Sequence, residues 1–197
     1  MSPNLLAVSS SPRRGGNSET LLKAFLEGAS KKGWQGETVR LNELSLKPCQ
    51  ACDGCAKDGR CVIKDDMQLL YPKVLAARGL VLATPIYFGS VSAQLKIFID
   101  RFQCWWQAKY PLQSPFVSGK EKRSGFLICS GALRQEEYRH NAVLIARTFF
   151  HILNFHYCGN LCIQGVDEKG AISKDRAYLK RAFDAGMAFP IPSPASP

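Results

Sequence analysis

Short apolar runs alternate with longer amphipathic ones along this chain of 197 residues. Leu5-Leu6-Ala7-Val8 is a continuous apolar run of the kind a buried parallel strand presents. The polar stretch SSSPRRGGNS follows, and then Leu21, Leu22, Phe25, Leu26 and Ala29 recur at helical spacing, which predicts a helix from about Ser18 to Lys32 stopped by Gly33. Thr38 to Leu41 reads as a second strand. Asp65 and Asp66 open a helical region through Ala77, with acids suited to its N-terminal dipole and Pro72 expected to break or kink it. Leu80 to Ala83 is a third, fully apolar strand, expected to end at Pro85. Leu95, Phe98, Ile99 and Phe102 mark the stripe of the next helix, Phe126 to Cys129 a fourth strand, and Ala142 to Leu153 a long helix. Leu161 to Ile163 is a fifth strand, and Lys174 to Ala188 a closing helix.

Strand and helix alternating in this way predict a parallel sheet covered on both faces, joined by right-handed crossovers. With five strands the expected architecture is a flavodoxin-like three-layer α/β sandwich of order 2-1-3-4-5. Its ligand site is expected at the carboxyl ends of strands one, three and four. Residues 1–189 form the expected single domain. The tail PIPSPASP, residues 190–197, is rich in proline and poor in apolar surface and is expected to be mobile.

Four loops carry the candidate chemistry, and three of them fall at that sheet edge. After strand one, Ser9, Ser11, Asn17 and Ser18 can donate to phosphate oxygens, Gly15 and Gly16 allow close backbone approach, and Arg13 adds charge. The loop has neither the triphosphate-binding nor the dinucleotide-binding glycine pattern, so a monophosphate such as that of FMN fits it better. After strand three, Pro85, Ile86, Tyr87, Phe88, Gly89 and Ser90 combine flat apolar faces with a bendable backbone, as a flavin ring requires. Ser90 or Ser92 can cap the next helix. Ser130, Gly131 and Ala132 follow strand four and would close the pocket.

The fourth loop, within residues 48–64, holds Cys49, Cys52, Cys55 and Cys61 at spacing C-x2-C-x2-C-x5-C. Bunched thiolates of this kind are ligands of iron–sulfur clusters, and the crowding of the first three suits a cluster better than one tetrahedral zinc ion. Zinc, a disulfide or unbound thiols are the competing readings. The start of the chain reads as a strand rather than a leader, so a cytoplasmic, reducing compartment is expected, in which structural disulfides are rare. Cys104, Cys129, Cys158 and Cys162 read as small core residues.

Charge and hydropathy narrow the partners. The net charge of +10 is scattered, without a basic block or a nucleic-acid-binding motif, so no nucleic acid is expected. No apolar run is long enough to cross a membrane. An acidic electron carrier such as ferredoxin suits a basic surface. No nucleophile–base pair is legible, and a redox cofactor would not need one.

Ser11-Pro12-Arg13 with Gly16-Asn17-Ser18, the run from Pro48 to Met67 and the run from Thr84 to Arg101 together resemble the iron–sulfur flavoproteins, within the NADPH-dependent FMN reductase-like group of the flavodoxin fold. The resemblance covers roughly the first 130 residues. It implies FMN held through Ser9, Ser11, Asn17 and Ser18 and through Pro85 to Ser90, and a [4Fe–4S] cluster on the four loop cysteines. It also implies a homodimer or homotetramer in which one subunit's cluster lies near another's flavin, with electrons passing between a donor, the cluster and FMN. Ser10 departs from the family's glycine and Ser90 from its asparagine. The alternatives kept beside this reading are an NAD(P)H-dependent flavin or quinone reductase without a cluster, and a redox or metal sensor built on the cysteine loop. Trp105 and Trp106 read equally as an interface or flavin roof and as half-buried surface aromatics.

Overall fold

The computed structural model describes residues 4–119 and 122–192. Five parallel strands form the sheet: β1 (Asn4–Ser9), β2 (Gln35–Arg40), β3 (Gly79–Tyr87), β5 (Ser124–Gly131) and β6 (His156–Gln164). Their spatial order is β2-β1-β3-β5-β6. This is the flavodoxin-like order expected, with β5 and β6 standing as the fourth and fifth long strands. The remaining strand, β4 (Ser90–Val91), pairs antiparallel with the end of β3 and had no counterpart in the sequence reading.

The strands' two-residue alternation divides the core. Leu5, Ala7, Val81, Ala83, Phe126, Ile128, Leu161 and Ile163 face α1 (Asn17–Lys31) and α6 (Arg176–Ala188). Leu6, Val8, Leu80, Leu82 and Leu127 face α2 (Met67–Ala76), α3 (Ala93–Asp100), α4 (Gln103–Lys109) and α5 (Glu136–Ile152). Burying a leucine or phenylalanine contributes about 1.5–3 kcal/mol, so both halves depend on the sheet between them.

Two proline expectations fail. The strand β3 does not end at Pro85; it runs to Tyr87, with Pro85 registered against Ser130 of β5. The neighbour β1 pairs with β3 only as far as Ala83, so Pro85 lies where β3 has become an edge on that side and needs no donor there. Nor does Pro72 break α2, which continues from Met67 to Ala76. Pro72 and Gln68, whose carbonyl loses its amide partner, are both solvent-exposed, so water can take the bond while Met67, Leu70 and Val74 anchor the helix.

At the opposite end from the loops, Arg123 is buried and donates to the carbonyls of Val74, Ala77 (2.8 Å) and Leu153 (3.1 Å), with its guanidinium 3.7 Å from the Phe155 ring centre. One cation thus satisfies carbonyls at the C-terminal ends of both α2 and α5. Of the proline-rich tail, Pro190 accepts a hydrogen bond from Ser124 Oγ at 2.8 Å, and residues 193–197 lie outside the described residues.

Candidate cofactor sites

The carboxyl ends of β1, β3, β5 and β6 border a cleft of about 380 Å³. Ser11, Arg13, Gly16, Asn17, Ser18, Pro85, Ile86, Tyr87, Phe88, Gly89, Ser130 and Gly131, all expected from sequence, line it. Ser9 and Ser90 do not. Ser9 is fully buried at the end of β1, and Ser90 is tied into the hairpin opposite Tyr87.

The polar end of the cleft is built by the start of α1. Gly16 precedes the helix without a side-chain cap, so the dipole's positive end is left to whatever the cleft receives. Ser18 lines the cleft in the first turn, and its buried hydroxyl has no hydrogen-bond partner among the described residues. An unsatisfied buried donor at a helix N-terminus fits a phosphate oxygen. Arg13, Arg139 and Lys169 outnumber the single carboxylate of Asp167 around the cleft. Asn17 is already engaged: its amide donates to the Glu168 carbonyl (3.0 Å) and accepts from the Ile172 amide (3.3 Å), while Arg13 donates to the Asp167 carbonyl (3.3 Å). These two side chains therefore hold the loop after β6 against the cleft.

Ser18→Ala should weaken FMN binding by roughly 10- to 150-fold, since a hydrogen bond to a charged group contributes about 1.5–3 kcal/mol. Riboflavin, which lacks the phosphate, should bind both forms alike. Fluorescence titration with the two ligands checks the pair, and an equal loss for both would remove Ser18 from phosphate recognition.

The ring end is a hairpin. Ile86 pairs with Val91 and Tyr87 with Ser90, around a two-residue turn of Phe88 (φ 49°) and Gly89 (φ 74°). Both central residues are left-handed, as the tight primed turn demands. Glycine adopts this freely, whereas for phenylalanine it is strained. The ring of Phe88 is fully exposed at the tip. Asn141 donates to the Gly89 carbonyl at 2.9 Å and fixes the turn to α5. Beneath it, Ser92 caps α3 and donates to Ser10 Oγ (2.9 Å), which donates in turn to the Ala83 carbonyl (3.1 Å). The serine at position 10 thereby joins the phosphate loop, β3 and the helix after the ring loop, adding its hydroxyl to the links its own backbone makes to Ala83 and Ser92.

Several cleft residues escaped the sequence reading: Tyr138 and Arg139 at the start of α5, Gln164 at the end of β6, and Val166, Asp167 and Lys169 after it. The run Gln-Gly-Val-Asp-Glu-Lys-Gly after the fifth strand carried a signal, because a turn at a strand's carboxyl end belongs to this edge. Neither Trp105 nor Trp106 lines the cleft of its own chain. Trp105 is buried among Tyr71, Phe102 and Phe116, and half-exposed Trp106 borders the cysteine loop.

Cys49, Cys52, Cys55 and Cys61 line one small cavity with Arg101, Cys104, Trp106 and Gln107. The loop is closed at its neck by the two aspartates before α2. Asp66 accepts from the Ser45 amide (2.7 Å) and Asp65 from the Lys47 amide (2.8 Å) and the Met67 amide (3.1 Å). Ala51 and Asp53 take left-handed φ values of 48° and 55° between the first three cysteines, which coils that stretch. Burial raises the Cys55 thiol above its ordinary value, and the nearby Cys61, Cys49 and Cys52 raise it further. Cys104, behind the loop, is pushed by burial up to about 11 and stays a protonated core thiol.

Arg101 organises this loop. Its guanidinium donates to the Lys47 carbonyl (2.9 Å), the Asp65 carboxylate (2.5 Å), Cys61 Sγ (3.4 Å) and the Ile63 carbonyl (3.4 Å). The side chains of Arg101 and Asp65 are 0% and 3% exposed. Burial opposes ionisation of Asp65, but Arg101 and the Lys47 and Met67 amides outweigh it and hold the carboxyl below its usual range. The Arg101 Nε is buried with no partner among the described residues. A spare buried donor and a fixed positive charge beside four thiols fit a thiolate-ligated, negatively charged cluster. No three His, Cys, Asp or Glu side chains among the described residues are gathered as the ligands of one ion.

Two further cysteines depart from expectation. Cys129 and Cys162 are not separate core thiols. They face each other across β5 and β6, Cα atoms 4.5 Å apart, in a disulfide at the wall of the first cleft.

A mononucleotide-sized cleft at this edge of a 2-1-3-4-5 sheet defines a flavodoxin-like protein with a separate cysteine loop. The chain belongs to the NADPH-dependent FMN reductase family, whose sequence model matches residues 3–156; the family is one of flavin-dependent oxidoreductases. It is 41% identical over 97 residues to an iron–sulfur flavoprotein of Methanosarcina thermophila, covering 49% of this chain and 51% of the relative. It therefore spans about half the length of that relative in the match. It is 25% identical over 179 residues to a putative NAD(P)H-dependent FMN-containing oxidoreductase of Bacillus subtilis, covering 90% and 93%. The solved NAD(P)H:quinone oxidoreductase of Methanothermobacter marburgensis shares the fold, with a TM-score of 0.68 at 18% identity over 95% of this chain and 98% of that one.

Proposed function

We propose that this chain is an FMN-dependent redox protein in which a [4Fe–4S] cluster on Cys49, Cys52, Cys55 and Cys61 exchanges single electrons with an external carrier. FMN lies in the cleft at the carboxyl edge and converts between one- and two-electron steps. The observation that carries the reading is the cysteine loop: four thiols on one cavity, its neck stitched by Asp65 and Asp66, with a buried guanidinium turned to Cys61. A loop serving only as a surface connection has no need of a desolvated ion pair beneath it.

The protein's own part is positional. Ser18, Ser11, Arg13 and the α1 N-terminus hold the phosphate. Pro85 to Gly89 and Ser130 to Leu133 confine the ring and exclude water from one side. Arg101 offsets the negative charge gathered at the thiolates. The two cavities have no lining residue in common, which supports electron transfer between chains of a homodimer or homotetramer. The basic net charge supports an acidic carrier such as ferredoxin at the cysteine loop. No helix among the described residues is long and apolar enough to cross a membrane, and a cytoplasmic location is part of the proposal.

The test is an absorption spectrum with iron and sulfide counts on anaerobically purified protein. Stoichiometric flavin with about four iron and four sulfide per chain is the expected result. Cys52→Ser should remove most of the iron while leaving the flavin bands. Full iron retention in that variant would exclude Cys52 as a ligand. A second reading, the NAD(P)H-dependent reductase, is favoured by the Bacillus subtilis relative, which matches along nearly the whole chain. It predicts that Cys52→Ser reduces its flavin with NADPH as fast as the parent protein does.

A further inference from the structure

Cys129 and Cys162 lie 33 residues apart and meet only because β5 and β6 pair in the register Cys129 opposite Cys162. Three observations set them apart from a disulfide that merely braces a sheet. They occupy the functional edge: both line the cleft assigned to the flavin, and Cys129 is followed by Ser130 and Gly131, which close it. They differ in access, since Cys129 is buried and Cys162 is partly exposed, so one sulfur is sheltered and the other reachable. Finally, Cys162 also borders a second, smaller hollow with Arg134, Tyr178 and Arg181. That hollow gives a second approach to position 162 besides the cleft.

We propose that Cys129 and Cys162 are a redox-active dithiol–disulfide couple that exchanges an electron pair with the flavin of the cleft. The proposal rests on the flavin reading given above. In the reducing direction the bond between the two sulfurs breaks, and each sulfur gains one electron. Two protons complete the thiols. Dihydroflavin gives up the two electrons and two protons and returns to oxidised flavin, so the exchange balances without another reactant. The opposite direction closes the disulfide and stores the pair on the flavin. Each chain thus holds one two-electron reservoir beyond FMN, separate from the one-electron centre expected at Cys49 to Cys61.

The experiment uses the air-oxidised holoprotein, made anaerobic and illuminated with EDTA as the donor, so that electrons enter through the bound flavin. Free thiols are alkylated with a mass tag before and after reduction, and the tagged peptides are mapped. Cys129 and Cys162 should be untagged in the oxidised protein and both tagged once the flavin is reduced, two extra tags per chain. Wild type should then take up two more electrons per chain than Cys129→Ala/Cys162→Ala at the same flavin content. Tagging of both cysteines in the oxidised protein overturns the proposal, and so does a disulfide that persists beside fully reduced flavin. Protein without flavin absorbance would instead sink the flavin reading and this proposal with it, an outcome the spectrum separates from the other two.

Discussion

Arg101→Met should destabilise the protein by about 3–5 kcal/mol and empty the cysteine loop of iron. The stability loss follows from Asp65: its carboxylate is almost wholly buried, and removing the guanidinium against it leaves a desolvated charge without this ion-pair partner. For a chain of this length that is a fall in melting temperature of roughly 6–20 °C. The iron loss follows from the other bonds, because Arg101 joins both ends of the loop, at Lys47 and Ile63, and reaches Cys61 between them. Circular dichroism at the temperature of the iron assay separates unloading from unfolding. The double variant Arg101→Met/Asp65→Leu divides the two effects. Removing both charges should recover much of the stability, since an apolar pair of similar size is often neutral or better. It should not recover the iron, because the neck has then lost its Lys47 and Met67 amide bonds as well. An iron content in Arg101→Met equal to the parent's would leave the guanidinium a purely structural ion pair.

The same ion pair has an acid signature. The depressed folded value of Asp65 means that its contribution is fully present above the unfolded carboxyl value of about 4. It is lost as pH falls from there through the folded value. Acid unfolding of Arg101→Met should therefore be shallower over that window than that of the parent protein.

How far these features could be read beforehand depended on whether their residues are neighbours in sequence. The strands β1, β3 and β5 were legible because a central parallel strand is apolar on both faces, as Leu5 to Val8 and Leu80 to Ala83 are. The edge strand β2 was read as Thr38 to Leu41 instead of Gln35 to Arg40 because Gln35 to Thr38 are exposed and carry no periodic signal. The hairpin at Phe88-Gly89 was invisible, since its strand is two residues long and phenylalanine is an unfavourable turn residue. The ring loop, the phosphate loop and the four-cysteine run are each contiguous, so their chemistry could be named from composition and spacing. Arg101, Asp65 and the Cys129–Cys162 pair could not be assigned in that way. Arg101 ends an apolar helical stripe, Asp65 looked like a dipole-compensating acid, and the register of β5 on β6 is fixed only when both strands have docked.

Gly186→Ala should also destabilise the protein, against the ordinary trend for a helix interior. In isolation the change favours a helix by about 1 kcal/mol, because alanine loses less backbone entropy than glycine. In this fold α1 and α6 cross backbone to backbone. A Cβ at Gly186 would fall well inside van der Waals contact with the Phe25 carbonyl oxygen, and one at Gly28 would do the same to the Phe183 carbonyl oxygen. The obstacle is helix backbone, which cannot swing aside, so the two helices must separate. Separation strips contacts from Phe25, Leu21, Ala29, Ala182 and Phe189 together. Overpacking of this kind costs about 1–3 kcal/mol and outweighs the propensity gain. Gly186→Val adds two further methyl groups at the crossing and should cost more. Because α1 presents its N-terminus to the phosphate end of the cleft, the shift should also weaken FMN binding, which a stability loss remote from α1 would not do. Urea unfolding and FMN titration of Gly186→Ala, Gly186→Val and Gly28→Ala measure both effects. Gly119→Ala is the control, since an added Cβ there meets none of the described residues within 4 Å. A Gly186→Ala protein more stable than its parent would mean that the two helices do not cross at this distance in solution.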